Sequence, residues 1–171
     1  MTTVADLLGK PCAEPALIFV GGTHSRSLLD TPDRPFTTRP VTTVAGQTLA
    51  HMLRERLDLQ VDTRVEWVTK SQRNAFVGMI TVGRTANNDL VIDAPGVSKV
   101  HCTLSLAAGQ WGLTDSGSSN GTLLDGVRLP AHERRSLADG AEVTFGEVKT
   151  VFILPVTLGA LLAPLSLARP R

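Results

Sequence analysis

From about residue 61 onward the chain is a succession of short apolar runs, each broken within a few positions by turn-forming residues. No other feature limits the fold as strongly. RVEWVT and MITVGR alternate apolar and polar residues, the two-residue period of a strand with one buried face. CTLSLA places Cys102, Leu104 and Leu106 on one face, and WGLTD does the same for Trp111 and Leu113. Ala108-Gly109-Gln110 between them is a tight connection, so the pair reads as a hairpin. Further short strands are predicted at Thr122–Leu124, Val127–Leu129, Glu142–Phe145 and Thr150–Leu154. Many short strands with regular turn signals and hardly a helix point to an all-β antiparallel sandwich, which we place at residues 61–155.

The flanks differ. Residues 1–60 read as an N-terminal extension. ALIFV, near 16–20 and ahead of Gly21-Gly22, can form a buried strand, while HSRSLLDTPDRPFTTRPV has the Pro, Thr, Ser and Asp content of a loop. Leu49, Met52, Leu53 and Leu57 recur at helical spacing, so an amphipathic helix is expected near 48–59 with Thr48 as its cap. At the other end, Val151 to Ala168 carries no charge and approaches the lower length of a spanning helix. Pro155 and Pro164 argue against one straight helix there. The expectation is a last strand at Val151–Leu154 and a packed apolar tail over 156–171. The N-terminus lacks the basic start and long apolar stretch of a secretory signal.

Composition excludes several function classes. Seventeen basic side chains against sixteen acidic ones leave a net charge of +1, so no global field selects nucleic acid or an anionic membrane. With 42% hydrophobic and 19% charged residues the chain reads as globular, and 171 residues suffice for a core without staples. Two cysteines, Cys12 and Cys102, make no disulfide framework. His24, His51 and His132 are scattered without ligand spacing, so neither a metal nor another cofactor is expected. A cytoplasmic protein fits these features, and the Arg-heavy composition, with lysine only at 10, 70, 99 and 149, fits a bacterial source.

Three polar patches fall in turns between the predicted strands, where a sandwich displays binding loops. Gly83-Arg84 ends MITVGR. Ser98-Lys99-Val100-His101 opens the CTLSLA strand, and Asp115 to Thr122 reads DSGSSNGT. Together they supply a guanidinium, an ammonium, several hydroxyls and an Asn amide, with Gly where the backbone must turn. Such groups suit a phosphate monoester: Arg grips two oxygens with paired donors, and hydroxyls and backbone N–H groups take the rest. There is no carboxylate pair and no evident activated base, so the site reads as built to hold, not to cleave. A hydrolase triad of Ser98, His101 and Asp115 lacks both a strained nucleophile turn and an oxyanion site. Lys70 to Asn74 form a basic-polar loop that either faces this site or faces solvent.

GRTANNDLVI, VSKVHCTL, WGLTDSGSSNGTLLDG and LADGAEVTFG, in that order and spacing, resemble the forkhead-associated (FHA) domain. The resemblance covers roughly Val61 to Leu154. It implies a sandwich of about eleven strands whose loops at one end bind a phosphothreonine peptide without catalysis. By position, it implies Arg84 as the main phosphate-binding cation, a Ser98 hydroxyl bond to the phosphate and a Lys99 contact. Ser119 would then lie beside the phosphothreonine and Asn120 would hold the peptide main chain. His101, Gly83, Gly121 and Thr122 would shape the loops, and Gly96 falls where members often carry a selectivity residue. The implied partner is a phosphothreonine-bearing protein, a Ser/Thr kinase or its substrate. A phosphorylation-independent scaffold using the sandwich face, the helix or the tail is the alternative. Two departures stand out: Asp125 where the family commonly has Asn, and Ala141 where it commonly has Asp.

Overall fold

In the computed structural model, residues 2–20, 45–60 and 62–167 are described; the Pro- and Thr-rich stretch at 24–41 lies outside them. The hairpins follow from their turn chemistry. β6 (Cys102–Ala107) and β7 (Gln110–Asp115) are joined by Ala108 and Gly109, both at positive φ, the backbone that matches strand twist in a two-residue turn. β8 (Thr122–Leu124) and β9 (Val127–Arg128) turn the same way through Asp125-Gly126. Asp tolerates this conformation, and its Oδ1 accepts from the Glu142 N–H at 2.8 Å, so the Asp125 departure is spent on the turn itself. β11 (Glu142–Phe145) and β12 (Val148–Ile153) are joined by Gly146-Glu147.

The remaining strands are β1 (Thr2–Thr3), β2 (Ala16–Val20), β3 (Arg64–Trp67), β4 (Ile80–Gly83), β5 (Leu90–Val91) and β10 (Arg134–Ser136). They form a seven-stranded sheet, β1-β3-β2-β12-β11-β8-β9, and a five-stranded one, β10-β7-β6-β4-β5. All pairs are antiparallel except β4 with β5. The antiparallel sandwich expected from strand periodicity is therefore present, with twelve strands among the described residues. β2 lies between β3 and β12, hydrogen-bonded on both sides, so part of the first sixty residues is internal to the larger sheet.

Strand alternation assigns each face of that sheet to a different core. Leu17, Phe152, Val143 and Phe145 point between the sheets, where they join Val82, Leu104 and Leu113. Ala16, Ile18, Val151 and Ile153, one position out of phase, point the other way. They are covered by α1 (Val4–Leu7), α2 (Ala45–Arg56) and α3 (Pro155–Leu167) through Leu7, Leu53, Leu158 and Leu161, and by Leu57 just after α2. The molecule is thus three layers, helices on sheet on sheet. α2 starts at Ala45, so Thr48 lies inside the helix rather than capping it.

The apolar C-terminal segment, expected as a packed tail, is packed in the form of a helix. Pro155 occupies its first position, where the missing N–H costs nothing and the fixed φ suits a helix. Asp139 secures that end, accepting from the Leu154 N–H at 2.8 Å and the Thr157 hydroxyl at 2.6 Å. Pro164, inside the helix, deprives the Ala160 carbonyl of its donor four residues on. The Arg54 guanidinium of α2 supplies the replacement, with Nη2 at 2.7 Å from Ala160 O. Among the described residues no helix is long and apolar enough to cross a membrane.

This contact yields a test. Arg54→Met should lower the unfolding free energy by about 1–2 kcal/mol in urea titrations. In a Pro164→Ala background, where residue 164 regains its N–H, the same substitution should cost clearly less. Equal costs in the two backgrounds would show that Arg54 acts otherwise.

Candidate functional site

The loops after β4, before β6 and after β7 meet at one end of the sandwich because their backbones are bonded to one another. Arg84 N–H donates to Ser98 O at 2.9 Å, His101 N–H to Val82 O at 2.8 Å, and Ser116 N–H to His101 O at 3.0 Å. Gly83 sits where a Cβ would run into the Lys99 carbonyl oxygen, so this approach of two loops needs glycine. The buried Asn88 amide ties the same loops, donating to Lys99 O at 2.6 Å and Thr85 O at 2.9 Å.

Arg84, Ser98, Ser119 and Asn120 are brought together by this scaffold. Arg84 is exposed, its Nε donating to Val97 O at 3.2 Å, and its terminal nitrogens have no hydrogen-bond partner among the described residues. The Ser119 N–H donates to Ser98 Oγ at 3.0 Å, and the two hydroxyl oxygens are 3.5 Å apart. Asn120 Nδ2 donates to Gly96 O at 2.9 Å, which bridges the loop after β7 to the loop before β6. Lys99 presents an exposed side chain while its carbonyl is engaged by Thr85 and Asn88. The open end therefore offers a guanidinium fork, a paired hydroxyl cluster and an ammonium, a set of donors suited to a dianionic phosphate.

Beneath these groups lie two buried polar residues. His101 Nδ1 accepts from the Ser98 N–H at 3.0 Å, which leaves the ring proton on Nε2 to be donated to Gly121 O at 3.1 Å. Phe145 meets the ring edge-on at 5.9 Å. Burial lowers the His101 pKa, against the opposing pull of the Gly121 hydrogen bond and the Asp115 charge, so the neutral ring is the folded form. With both ring nitrogens on backbone partners, His101 cannot take a proton from Ser98, and the hydrolase triad has no base. Asp115 folds the DSGSSNGT turn by accepting from Gly117 N–H, Ser118 N–H, the Ser118 hydroxyl and the Thr122 hydroxyl. Burial alone would raise its pKa; these hydrogen bonds outweigh it and lower the pKa. Thr122, fully buried, is held by that bond, and Gly121 supplies the carbonyl that His101 requires.

Several residues that shape the site were not legible as such. Arg128, exposed on β9, lays its guanidinium across Gly121 and donates through Nη1 to Asn120 O at 3.0 Å. It adds a cation beside the SSNGT turn, and the hairpin return of β9 places it there. In the basic-polar loop, Lys70, Ser71 and Asn74 are engaged with a buried carboxylate. They converge on the Asp89 carboxylate, with Lys70 Nζ at 2.9 Å and the Ser71 hydroxyl at 2.7 Å. Burial works against ionisation of Asp89, but donors from Thr81, Lys70, Ser71 and Asn74 hold its pKa far below the carboxylate range. The signal for this was the polar pair Asn88-Asp89 entering an apolar strand, since a buried carboxylate requires donors.

The histidine gives a pH dependence whose sign is fixed. Its folded pKa lies below the ordinary 6.5, so the unfolded chain protonates first as pH falls. The His101 contribution to stability is complete above the unfolded pKa and is lost as pH drops below it. His101→Asn should cost about 1–3 kcal/mol near neutral pH, and should flatten the fall in unfolding free energy between about pH 7.5 and 5. Denaturant titrations of both proteins across that range provide the check; parallel pH profiles would assign the slope to other groups.

Comparison with known proteins agrees with this geometry. The FHA domain family matches residues 80–146. An FHA domain-containing protein of Arabidopsis thaliana is 35% identical over 75 residues, covering 43% of this chain and 19% of that protein. An ABC transporter ATP-binding/permease protein of Mycobacterium tuberculosis is 37% identical over 75 residues, covering 44% of this chain and 8% of that protein. The chain thus spans no more than a fifth of the length of either relative. The crystal structure of an FHA domain from Chlamydia trachomatis has the same fold, with a TM-score of 0.50 at 12% identity over 82% of this chain and 97% of that one. With the motif order, the sandwich and the three joined loops in agreement, residues 80–146 of this chain match the forkhead-associated domain family.

Proposed function

We propose that this protein is a non-catalytic adaptor that reads phosphothreonine in Ser/Thr kinase signalling, in the cytoplasm of a bacterium. Its partner is a phosphothreonine-bearing protein, the kinase or one of that kinase's substrates. The reading rests on one observation: an uncommitted Arg84 guanidinium terminus stands with the Ser98–Ser119 hydroxyl pair and Asn120 at one open end of the sandwich. Phosphorylation brings nearly two negative charges and three strong acceptors, and this donor set matches them without a basic protein surface. Arg84 supplies the dominant attraction, Ser98 and Ser119 hydroxyl bonds, Lys99 a further cationic contact, and Asn120 a hold on the peptide main chain. The alternative, phosphorylation-independent scaffolding through the helix or the tail, draws no support from their apolar faces, because Leu53, Leu57, Leu158 and Leu161 are buried on the chain's own sheet.

Calorimetric titration of the full chain with matched phosphothreonine, phosphoserine and unmodified peptides tests the reading. Tight binding is expected for phosphothreonine alone, and Arg84→Ala should weaken it about tenfold to a hundredfold, the loss of one charge-assisted bidentate contact. Equal binding of the three peptides would sink the proposal.

A further inference from the structure

The donor set runs out on one side of the site, and a carboxylate begins there. The β11–β12 turn consists of Gly146 and Glu147, with Gly146 at φ +62°, a conformation that L side chains rarely adopt. Gly146 N–H donates to Gly121 O at 3.1 Å, and a Cβ on Gly146 would run into the carbonyl oxygen of Gly96. The turn is therefore pressed against both the SSNGT loop and the loop preceding Ser98. Glu147 follows directly at the tip of the turn, exposed, with no ion pair or hydrogen bond among the described residues.

Gly96 is the meeting point. A Cβ built there would have Glu147 N at 3.5 Å, Glu147 Cγ at 3.8 Å and Asn120 Nδ2 at 3.8 Å. Because Gly96 has no side chain, the space beside Asn120 is bounded by the Glu147 side chain. The polarity of the site is then directional. Arg84 is anchored through Nε on Val97 O and Arg128 lies across Gly121, whereas the Glu147 side chain stands beside Gly96 and Asn120.

We infer that Glu147 is a specificity determinant that selects phosphothreonine peptides carrying a lysine or arginine a few residues from the phosphothreonine. The inference rests on the phosphothreonine reading above and names its substrate class. A peptide whose main chain is held by Asn120 passes Gly96 and brings its neighbouring side chains within reach of the carboxylate. A cation there gains an ion pair, whereas an acidic side chain meets like charge. The pair is exposed, so the discrimination is a factor of about two to five, not orders of magnitude, and salt screens it.

The test uses the full chain and phosphothreonine peptides in which a single lysine is moved through each position on both sides of the phosphothreonine in an otherwise alanine background. One position should bind two- to fivefold tighter than the all-alanine peptide at low salt, and the gain should shrink as salt is raised. Glu147→Gln should abolish that gain while leaving the all-alanine phosphopeptide bound as before. Glu147→Lys should shift the preference to a glutamate at the same position. A lysine gain that survives Glu147→Gln, or no favoured position while phosphothreonine binding persists, overturns the Glu147 assignment alone. Absence of phosphothreonine-dependent binding to any peptide overturns the functional reading and this inference with it.

Discussion

The carbonyl oxygen of Gly121 receives two donors, the His101 ring from below and the Gly146 backbone from the side. Through that one atom the loop before β6, the SSNGT turn and the β11–β12 turn, which connect strands of both sheets, are fixed relative to one another. The imidazole can serve only if it is neutral and carries its proton on the nitrogen facing Gly121. Burial, the Ser98 N–H and the edge of Phe145 together enforce that state. A buried polar group is costly unless every atom is matched. Here the matching atoms all belong to backbone, so satisfying the ring and setting the loop positions are the same event. The terminal nitrogens of Arg84 can then remain without a hydrogen-bond partner among the described residues, because they do not have to hold the site together.

A second constraint operates across the larger sheet. Its central strands β2 and β12 are apolar on both faces, since one face packs on the smaller sheet and the other beneath the helices. A sheet covered on one face only would display alternating polar residues; β12 instead buries Val151, Phe152 and Ile153 in succession. The helical layer has its own polar seam, in which Arg54 answers the carbonyl exposed by Pro164 and Asp139 holds the start of α3. The helical layer thus covers the face of that sheet turned away from the smaller one.

Much of this was legible in residue order. Period-two runs located β3, β4, β6 and β7, and the turn at Ala108-Gly109 is local chemistry that a sequence displays openly. Arg84, Ser98, Ser119 and Asn120 were identifiable because each stands in a short motif. What could not be read were contacts made by residues distant in sequence. Arg128 reaches Asn120 only through the fold-back of β9, and Lys70 finds Asp89 nineteen positions on. The helical form of the C-terminal segment was hidden for another reason. Its prolines count against a helix in isolation, yet one sits where a helix begins and the other is compensated by an arginine 106 residues from the carbonyl it serves. Propensity is a local quantity, and that compensation is not.

The position of β2 has a consequence for how the molecule comes into being. Ala16–Val20, made early on the ribosome, finds both neighbours only when β3 and then β12 have been synthesised, the latter pairing Ile18 with Val151. Until residue 153 has emerged, the larger sheet has a gap where its central strands should join, with unpaired, apolar strand edges on either side. Closure over so long a chain separation carries a large entropic cost before any contact compensates for it. The pairing of β2 with β12 is accordingly the longest-range closure in the larger sheet.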